Sequence, residues 1–351
     1  MGVFKSIAAG LYRRGVQLRN WLYDMKILGS KQHDIPIVCV GNIAVGGTGK
    51  TPTVEFIIRN LSNEFKIAVL SRGYRRRTKG YLEVKANDSF LRVGDEPKQM
   101  KRKFPEVVVV VCENRNEGVR RIREEHPEVN LIVMDDGFQH RSITPKVCVI
   151  LSDYSTPPFH NKMLPAGTLR DTPSQLYRAD FLIITKTPEN ISPIERNIAQ
   201  KELHPSPYQS IFFTDIKQGT PYPIFEDVAP CQIPLGSKVV AFAGIAHPDK
   251  FFDSIREKYD VVETLSFKDH HAYRVKEIRK IAALVESLGE SAYVITTEKD
   301  GVKLTSKKHI PESLQRRLFV QPIEINFRDD GDKLSQENEF ITKLKKEIKK
   351  A

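Results

Sequence analysis

Apolar positions change their period along the chain. Phe4, Ile7, Ala8, Leu11, Leu18, Leu22 and Met25 recur at helical spacing, and Val3, Val16 and Trp21 widen the stripe. This predicts one helix over residues 3–28, with Gly15 lowering its propensity. Lys5, Arg13, Arg14, Arg19 and Lys26 stand against a single acid, Asp24. A basic amphipathic helix with Trp and Tyr suits a membrane interface. It also suits a helix packed on its own domain.

Short β-branched runs follow at 35–40, 67–70, 107–111, 131–134, 147–151 and 181–185. Most are near-continuous, as in parallel strands buried on both faces. Helix-compatible stretches such as 51–62 and 115–125 separate them. Alternating strand and helix predicts an α/β fold with a mostly parallel sheet. Between 205 and 235 prolines become frequent, at 205, 207, 221, 223, 230 and 234. A second α/β pattern has runs at 238–242, 261–267, 292–296 and 318–325. The expected organisation is a first domain over 1–210, a connection over 211–235 with one or two extended segments, and a smaller C-terminal α/β domain over 236–351. A length of 351 residues agrees with two cores. The basic end, 343–350, reads as a solvated helical face.

The first run leads into Gly41-Asn42-Ile43-Ala44-Val45-Gly46-Gly47-Thr48-Gly49-Lys50-Thr51, and a helical pattern starts at once. Strand, glycine-rich loop, Gly-Lys-Thr and helix make a P-loop NTPase core, although Ala44 stands where the strict pattern has Gly. Gly46, Gly47, Thr48 and Gly49 offer backbone N–H groups to phosphate oxygens, and the helix N-terminus adds partial positive charge. Lys50 is expected at the β- and γ-phosphates and Thr51 at Mg²⁺. The run at 131–134 ends in Asp135-Asp136, a strand-end acidic pair that can hold Mg²⁺.

Ligands of parallel sheets bind beyond the carboxyl ends of the strands. Here those ends are polar. One carries Arg72, Tyr74, Arg75, Arg76, Arg77 and Lys79 with no acid, which suits an anion. Others carry Cys112-Glu113-Asn114-Arg115 and Gly137-Phe138-Gln139-His140-Arg141. Gly94-Asp95-Glu96-Pro97 adds carboxylates, and a kinase needs one to orient or deprotonate an attacking hydroxyl. Asp-Glu-Pro also occurs as a helix start, so residue types alone do not single out Asp95.

A net charge of +11 favours anionic partners. No zinc finger, basic zipper or RNA-binding aromatic signature accompanies it, so nucleic acid is not expected. Cys39, Cys112 and Cys148 fall in or at the end of apolar runs and read as reduced core residues of a cytosolic protein. No signal peptide is read, and no apolar run approaches the ~20 residues of a membrane span.

Together these motifs resemble the tetraacyldisaccharide 4′-kinases, the lipid A 4′-kinases of Gram-negative bacteria. The resemblance rests on Val40-Gly41-Asn42 with the phosphate loop through Pro52, Ser71-Arg72-Gly73-Tyr74 and Val93-Gly94-Asp95-Glu96-Pro97. It continues through Asp135-Asp136-Gly137-Phe138-Gln139-His140, Leu164-Pro165-Ala166-Gly167, Leu169-Arg170, Phe267-Lys268-Asp269-His270-His271 and Thr297-Glu298-Lys299-Asp300. It implies Mg²⁺- and ATP-dependent phosphorylation of the 4′-hydroxyl of an acylated, 1-phosphorylated glucosamine disaccharide, the lipid A disaccharide precursor. It implies Lys50 and Thr51 at the ATP phosphates and metal, with Asp135, Asp136 and Glu96 around Mg²⁺. It implies Asp95 paired with His270 as the proton-accepting dyad, and Arg72, Tyr74, Arg115, Gln139 and Arg170 as substrate-site residues. It places the protein peripherally on the cytoplasmic face of the inner membrane, with no transmembrane segment and no obligate protein partner.

The chain departs from the family at His160-Asn161-Lys162-Met163, often Gly-Asn-Gly there, and at Thr168, usually Pro. Cys112-Glu113-Asn114-Arg115 replaces a more usual Gly-Arg-Asp-Arg but keeps Arg115. These changes bear on loop contacts and acyl-chain preference. A membrane-surface ATPase switch is the rival reading, and it leaves Asp95 and Asp269-His270 without a role. A nucleic-acid-dependent NTPase rests on charge alone. Ile184-Thr185-Lys186 is similar to a base-reading loop and leaves ATP or GTP open.

Overall fold

A computed structural model describes residues 2–329 and 335–350, with side chains from Phe4. Two sheets organise it. The larger has nine strands in the order Ile323–Phe327, Ser210–Gln218, Phe181–Thr185, Val147–Asp153, Ile37–Asn42, Leu131–Asp135, Ile67–Ser71, Val108–Val111 and Leu82–Glu83. Neighbours run parallel except at the two edges, where Ile323–Phe327 and Leu82–Glu83 pair antiparallel. Ile37–Asn42 lies between Leu131–Asp135 and Val147–Asp153, where the strand order reverses. That reversal opens a crevice beyond the carboxyl ends. The P-loop NTPase core read from the pattern is therefore present as a mixed α/β fold.

Val38, Val40, Val69, Val109, Val133 and Val149 are buried on one face of this sheet, and Ile37, Cys39, Ala68, Val110, Ile132 and Ile150 on the other. Alternate residues point to opposite faces, so a sheet covered on both sides needs apolar side chains at every position.

The second sheet runs in the order Asp260–Ser266, Lys238–Ala243, Tyr293–Thr297, Leu318–Gln321 and Tyr222–Pro223, parallel except for its last pair. The run at 318–325, read as one strand, is two. Pro322 has no N–H to continue a ladder, and beyond it Ile323–Phe327 crosses to the large sheet. Ser210–Gln218, at the start of the expected connection, is likewise hydrogen-bonded into the large sheet. The basic end is not a purely solvated face. Helix Gln336–Lys349 lays Phe340, Leu344 and Ile348 into the core of the large sheet.

The N-terminal helix spans Gly2–Asp24 rather than 3–28. Lys26 turns left-handed, and the Ile27 and Leu28 N–H groups fold back on the Leu22 carbonyl, which closes the helix. Ala9, Val16 and Asn20 make its buried face. Phe4, Ile7, Leu11, Leu18 and Trp21 are exposed, Phe4 at 80% and Leu11 at 64%. At ~3.6 residues per turn this exposed stripe lies roughly opposite the buried face. Val3, part of the expected stripe, lies outside the described side chains. Among the described residues no helix is long and apolar enough to cross a membrane.

Candidate active site

The phosphate loop joins Ile37–Asn42 to helix Lys50–Leu61. Gly46 and Gly49 hold φ of 117° and 82°, backbone that side chains rarely adopt. The loop is covered by the segment after Met163. Val45 N–H donates to the Thr168 carbonyl at 2.8 Å, and Arg170 N–H to the Ile43 carbonyl at 2.7 Å. The Thr168 departure therefore lies directly against the phosphate loop. Asn161, within the other departing stretch, donates to the Thr168 hydroxyl at 2.7 Å.

Asn42, fully buried at the strand end, links the site. Its amide donates to the Thr48 hydroxyl at 2.6 Å, and its side-chain oxygen accepts from Lys50 at 3.2 Å and also from Arg170. Gln139 donates to its carbonyl at 2.7 Å. Sequence reading had given Asn42 no role. The available signal was a polar residue ending an apolar parallel strand, where ligands bind.

Asp135 ends its strand, and Asp136 follows with a left-handed φ of 48° that Asp tolerates. Asp136 accepts two hydrogen bonds from Arg170, at 2.9 and 2.7 Å, and Lys50 Nζ lies 3.6 Å away. Burial would raise its pKa, but the Arg170 hydrogen bonds and the Lys50 charge outweigh burial and lower it. The Asp135 carboxylate accepts a 3.2 Å hydrogen bond from the Ser71 hydroxyl. Burial first, then the Asp136 charge, pushes its pKa up to about 6, despite Lys50. Glu96 acts on Asp135 in the same upward direction. Adjacent carboxylates with such different environments invite a cation. Thr51, Glu96, Asp135 and Asp136 offer only oxygen donors, the donor type that suits Mg²⁺. Among the described residues their carboxylates are not gathered within 4.8 Å of one another. The group that reaches that spacing is Glu83, Glu125 and His126, away from this site.

Arg115 is fully buried at the start of its helix. Burial lowers its pKa, Asp135 opposes this, and Arg72 adds to it. Its Nη1 donates to the Cys112 carbonyl, while Nε and Nη2 are buried without a hydrogen-bond partner. Arg72 and Tyr74 are exposed at the end of the Ile67–Ser71 strand. Not all of the basic run is available for an anion, because Arg76 is paired with Glu113 at 2.7 Å.

The second sheet supplies the opposite wall. His270 follows Asp260–Ser266 with a left-handed φ of 59°, and its N–H donates to the Gly244 carbonyl. Its Nδ1 lies 3.0 Å from Asp95 Oδ2, although 175 residues separate them. Asp95 opens helix Asp95–Lys103 and is buried. Burial would raise its pKa, but His270, Lys303 and Lys299 together lower it. The Tyr74 ring lies 5.5 Å from that of His270, and Arg75 donates to the Asp269 carbonyl at 3.4 Å. The arrangement sets a carboxylate held as an anion against His270, from the loop after a second-sheet strand, with the adjacent Glu96 close enough to act on Asp135. That is the chemistry needed to take a proton from a hydroxyl attacking a phosphoryl group.

A family model for tetraacyldisaccharide-1-P 4′-kinase matches residues 3–342. The chain is 39% identical over 334 residues to the tetraacyldisaccharide 4′-kinase of Parabacteroides distasonis, covering 93% of this chain and 90% of the relative. It is 38% identical over 338 residues to that of Porphyromonas gingivalis, covering 93% of each. Its fold is that of the crystal structure of the "apo" form of LpxK from Aquifex aeolicus in complex with ATP. There the TM-score is 0.72, the identity 24%, and 97% of each chain is covered. A match over nearly the whole chain and relatives covered over nine tenths of their own length agree with the phosphate loop and the strand-end acids, and the chain belongs to the tetraacyldisaccharide 4′-kinase family.

Proposed function

We propose that the chain transfers the γ-phosphoryl group of ATP to the 4′-hydroxyl of an acylated glucosamine disaccharide 1-phosphate, working from the cytoplasmic membrane surface. The observation that carries this reading is the 3.0 Å contact between Asp95 and His270, 175 residues apart, in a chain of this family that also has the phosphate loop. A partner-binding ATPase switch needs no such pair.

In this reading the backbone at Gly46–Gly49 cradles the phosphates, and Lys50 leaves Asp136 for the β- and γ-oxygens. Thr51, Glu96, Asp135 and Asp136 would hold Mg²⁺, which when bound neutralises charge on the phosphates. The 4′-oxygen attacks the γ-phosphorus as its proton passes to the Asp95 carboxylate. The bond from the γ-phosphorus to the bridging oxygen breaks, and ADP leaves with that electron pair. His270 orients Asp95. Arg72, Tyr74, Arg115, Gln139 and Arg170 surround the acceptor and the transferring group, and Arg115 has two buried donors to offer. Closing two units over the reacting atoms excludes water and limits wasteful hydrolysis. The exposed stripe Phe4, Ile7, Leu11, Leu18 and Trp21 would lie among lipid headgroups, which brings the cleft to its lipid substrate.

Purified protein with γ-labelled ATP and the disaccharide lipid tests this. Label is expected as a phosphate ester on the 4′-oxygen. ATP hydrolysis with unlabelled lipid would favour the switch, and a GTP arm reads the nucleotide preference.

A further inference from the structure

We propose that Lys299 is a positioning residue that fixes the tautomer of His270, so that the ring donates Nδ1–H to Asp95 Oδ2 and leaves Oδ1 for the acceptor hydroxyl. This deepens the phosphotransfer reading and rests on it.

Lys299 lies in the short helix Glu298–Gly301, which follows strand Tyr293–Thr297. Its ammonium is 3.2 Å from His270 Nε2, 3.3 Å from Glu96 Oε1 and 3.4 Å from Asp269 Oδ1. An ammonium has three protons to donate and no lone pair. The three neighbours supply three acceptors only when Nε2 carries no proton. The ring proton then sits on Nδ1, facing the Asp95 carboxylate at 3.0 Å. The alternative tautomer would set an N–H against the ammonium. Its other nearby acceptor, Asp269 Oδ2, is 3.7 Å from Nε2, beyond hydrogen-bond length.

Lys303 adds a second constraint on the same carboxylate oxygen. Its side chain is fully buried, held by Asp300 at 2.9 Å, and its Nζ lies 3.6 Å from Asp95 Oδ2. Asp300 is itself fixed by the Gly244 N–H at 2.7 Å and the Thr297 hydroxyl at 2.8 Å. Both cationic or donor contacts to Asp95 therefore fall on Oδ2. Around His270 stand Asp95, Lys299, Asp269 and the Tyr74 ring, with Glu96 bound to Lys299 and Lys303 by Asp95. A ring already protonated at Nδ1 cannot receive the hydroxyl proton there. That proton stays on Asp95, and the imidazole serves to aim the carboxylate.

The test is ¹⁵N NMR of the full chain with labelled histidines, one of nine being assigned to His270 through a His270→Asn variant. At neutral pH the wild type is expected to show a protonated Nδ1 and an unprotonated Nε2. Lys299→Met is expected to lose that pattern and to lower kcat by about 10²-fold, the scale of a small misplacement at a reacting centre. Its KM for ATP should change little. Lys299→Arg, which also only donates, should restore the pattern and most of kcat. A wild-type ring protonated at Nε2 would overturn the proposal, as would a Met variant that keeps both tautomer and kcat. The wild-type spectrum decides the matter even if the Met variant does not fold. It also needs no turnover, so an enzyme inactive on the lipid would refute the phosphotransfer reading separately.

Discussion

Lys50 stands between the phosphate loop and the acidic strand end, 3.2 Å from Asn42 and 3.6 Å from Asp136. Such a cation is fixed before phosphate charge develops, and preorganised charge is often the largest catalytic contribution. Lys50→Ala is expected to lower kcat by about 10³-fold in labelled-phosphate transfer, and a variant within tenfold of wild type would remove this loop from the mechanism. His140 gives a test in the stability of the fold. Burial first, then the charges of Arg115 and Arg72, holds its pKa down at about 4. The unfolded ring titrates near ~6.5. Between these values the unfolded chain binds the extra proton. This contribution to stability is therefore complete above pH ~6.5 and is lost as pH falls toward ~4. His140→Gln should flatten that part of the pH dependence by on the order of 2 kcal/mol, discounted for partial exposure, in urea unfolding. An unchanged slope would contradict the burial of this ring. At this scale the Gly-Lys-Thr order and the adjacent Asp135-Asp136 were legible as patterns, because the chemistry proposed for them fixes their order along the chain. Asn42, Lys299 and Lys303 were not, because their partners come from other strands or the other sheet.

Helical and strand periods were the most readable elements, since a buried parallel strand and an amphipathic helix differ in spacing alone. Boundaries were less so. The fold-back on Leu22 ends the first helix at Asp24, and Pro322 divides one apolar run between two sheets. The first helix had two open readings. The structure docks Ala9, Val16 and Asn20 and leaves the opposite stripe exposed, so packing on the domain holds for one face and the membrane reading rests on the other. Phe4→Ser, Leu11→Ser and Leu18→Ser together should weaken binding to anionic vesicles by well over tenfold, since each buried large side chain contributes ~1.5–3 kcal/mol. Circular dichroism should show an intact fold. Undiminished vesicle binding in that folded variant would mean the stripe is not the membrane contact.

Across the whole molecule, charge ties the two sheets together. Lys103, from the Asp95 helix, bonds Glu55 of the phosphate-loop helix at 2.6 Å and Glu298 of the second unit at 3.1 Å. Both carboxylates are almost fully buried. Lys103→Met would leave them without their cation, with only Gln99 and Tyr222 donating to them among the described residues, and is expected to cost about 3 kcal/mol in denaturant unfolding. A loss below about 1 kcal/mol would show that the triad is not a structural tie. The division into two α/β patterns was legible, but the return of Ile323–Phe327 and Gln336–Lys349 to the first sheet was not. Local spacing carries no record of which sheet a late strand joins. In the proposed reading Asp95, at the start of helix Asp95–Lys103, and His270, in the loop after Asp260–Ser266, act as one unit in phosphoryl transfer. A double-mutant cycle on kcat tests it most directly. His270→Ala is expected to lower kcat by ~10²-fold and Asp95→Ala by at least as much. The double variant should lose clearly less than the product of the two, as coupled residues do. Fully multiplicative losses would contradict the pairing.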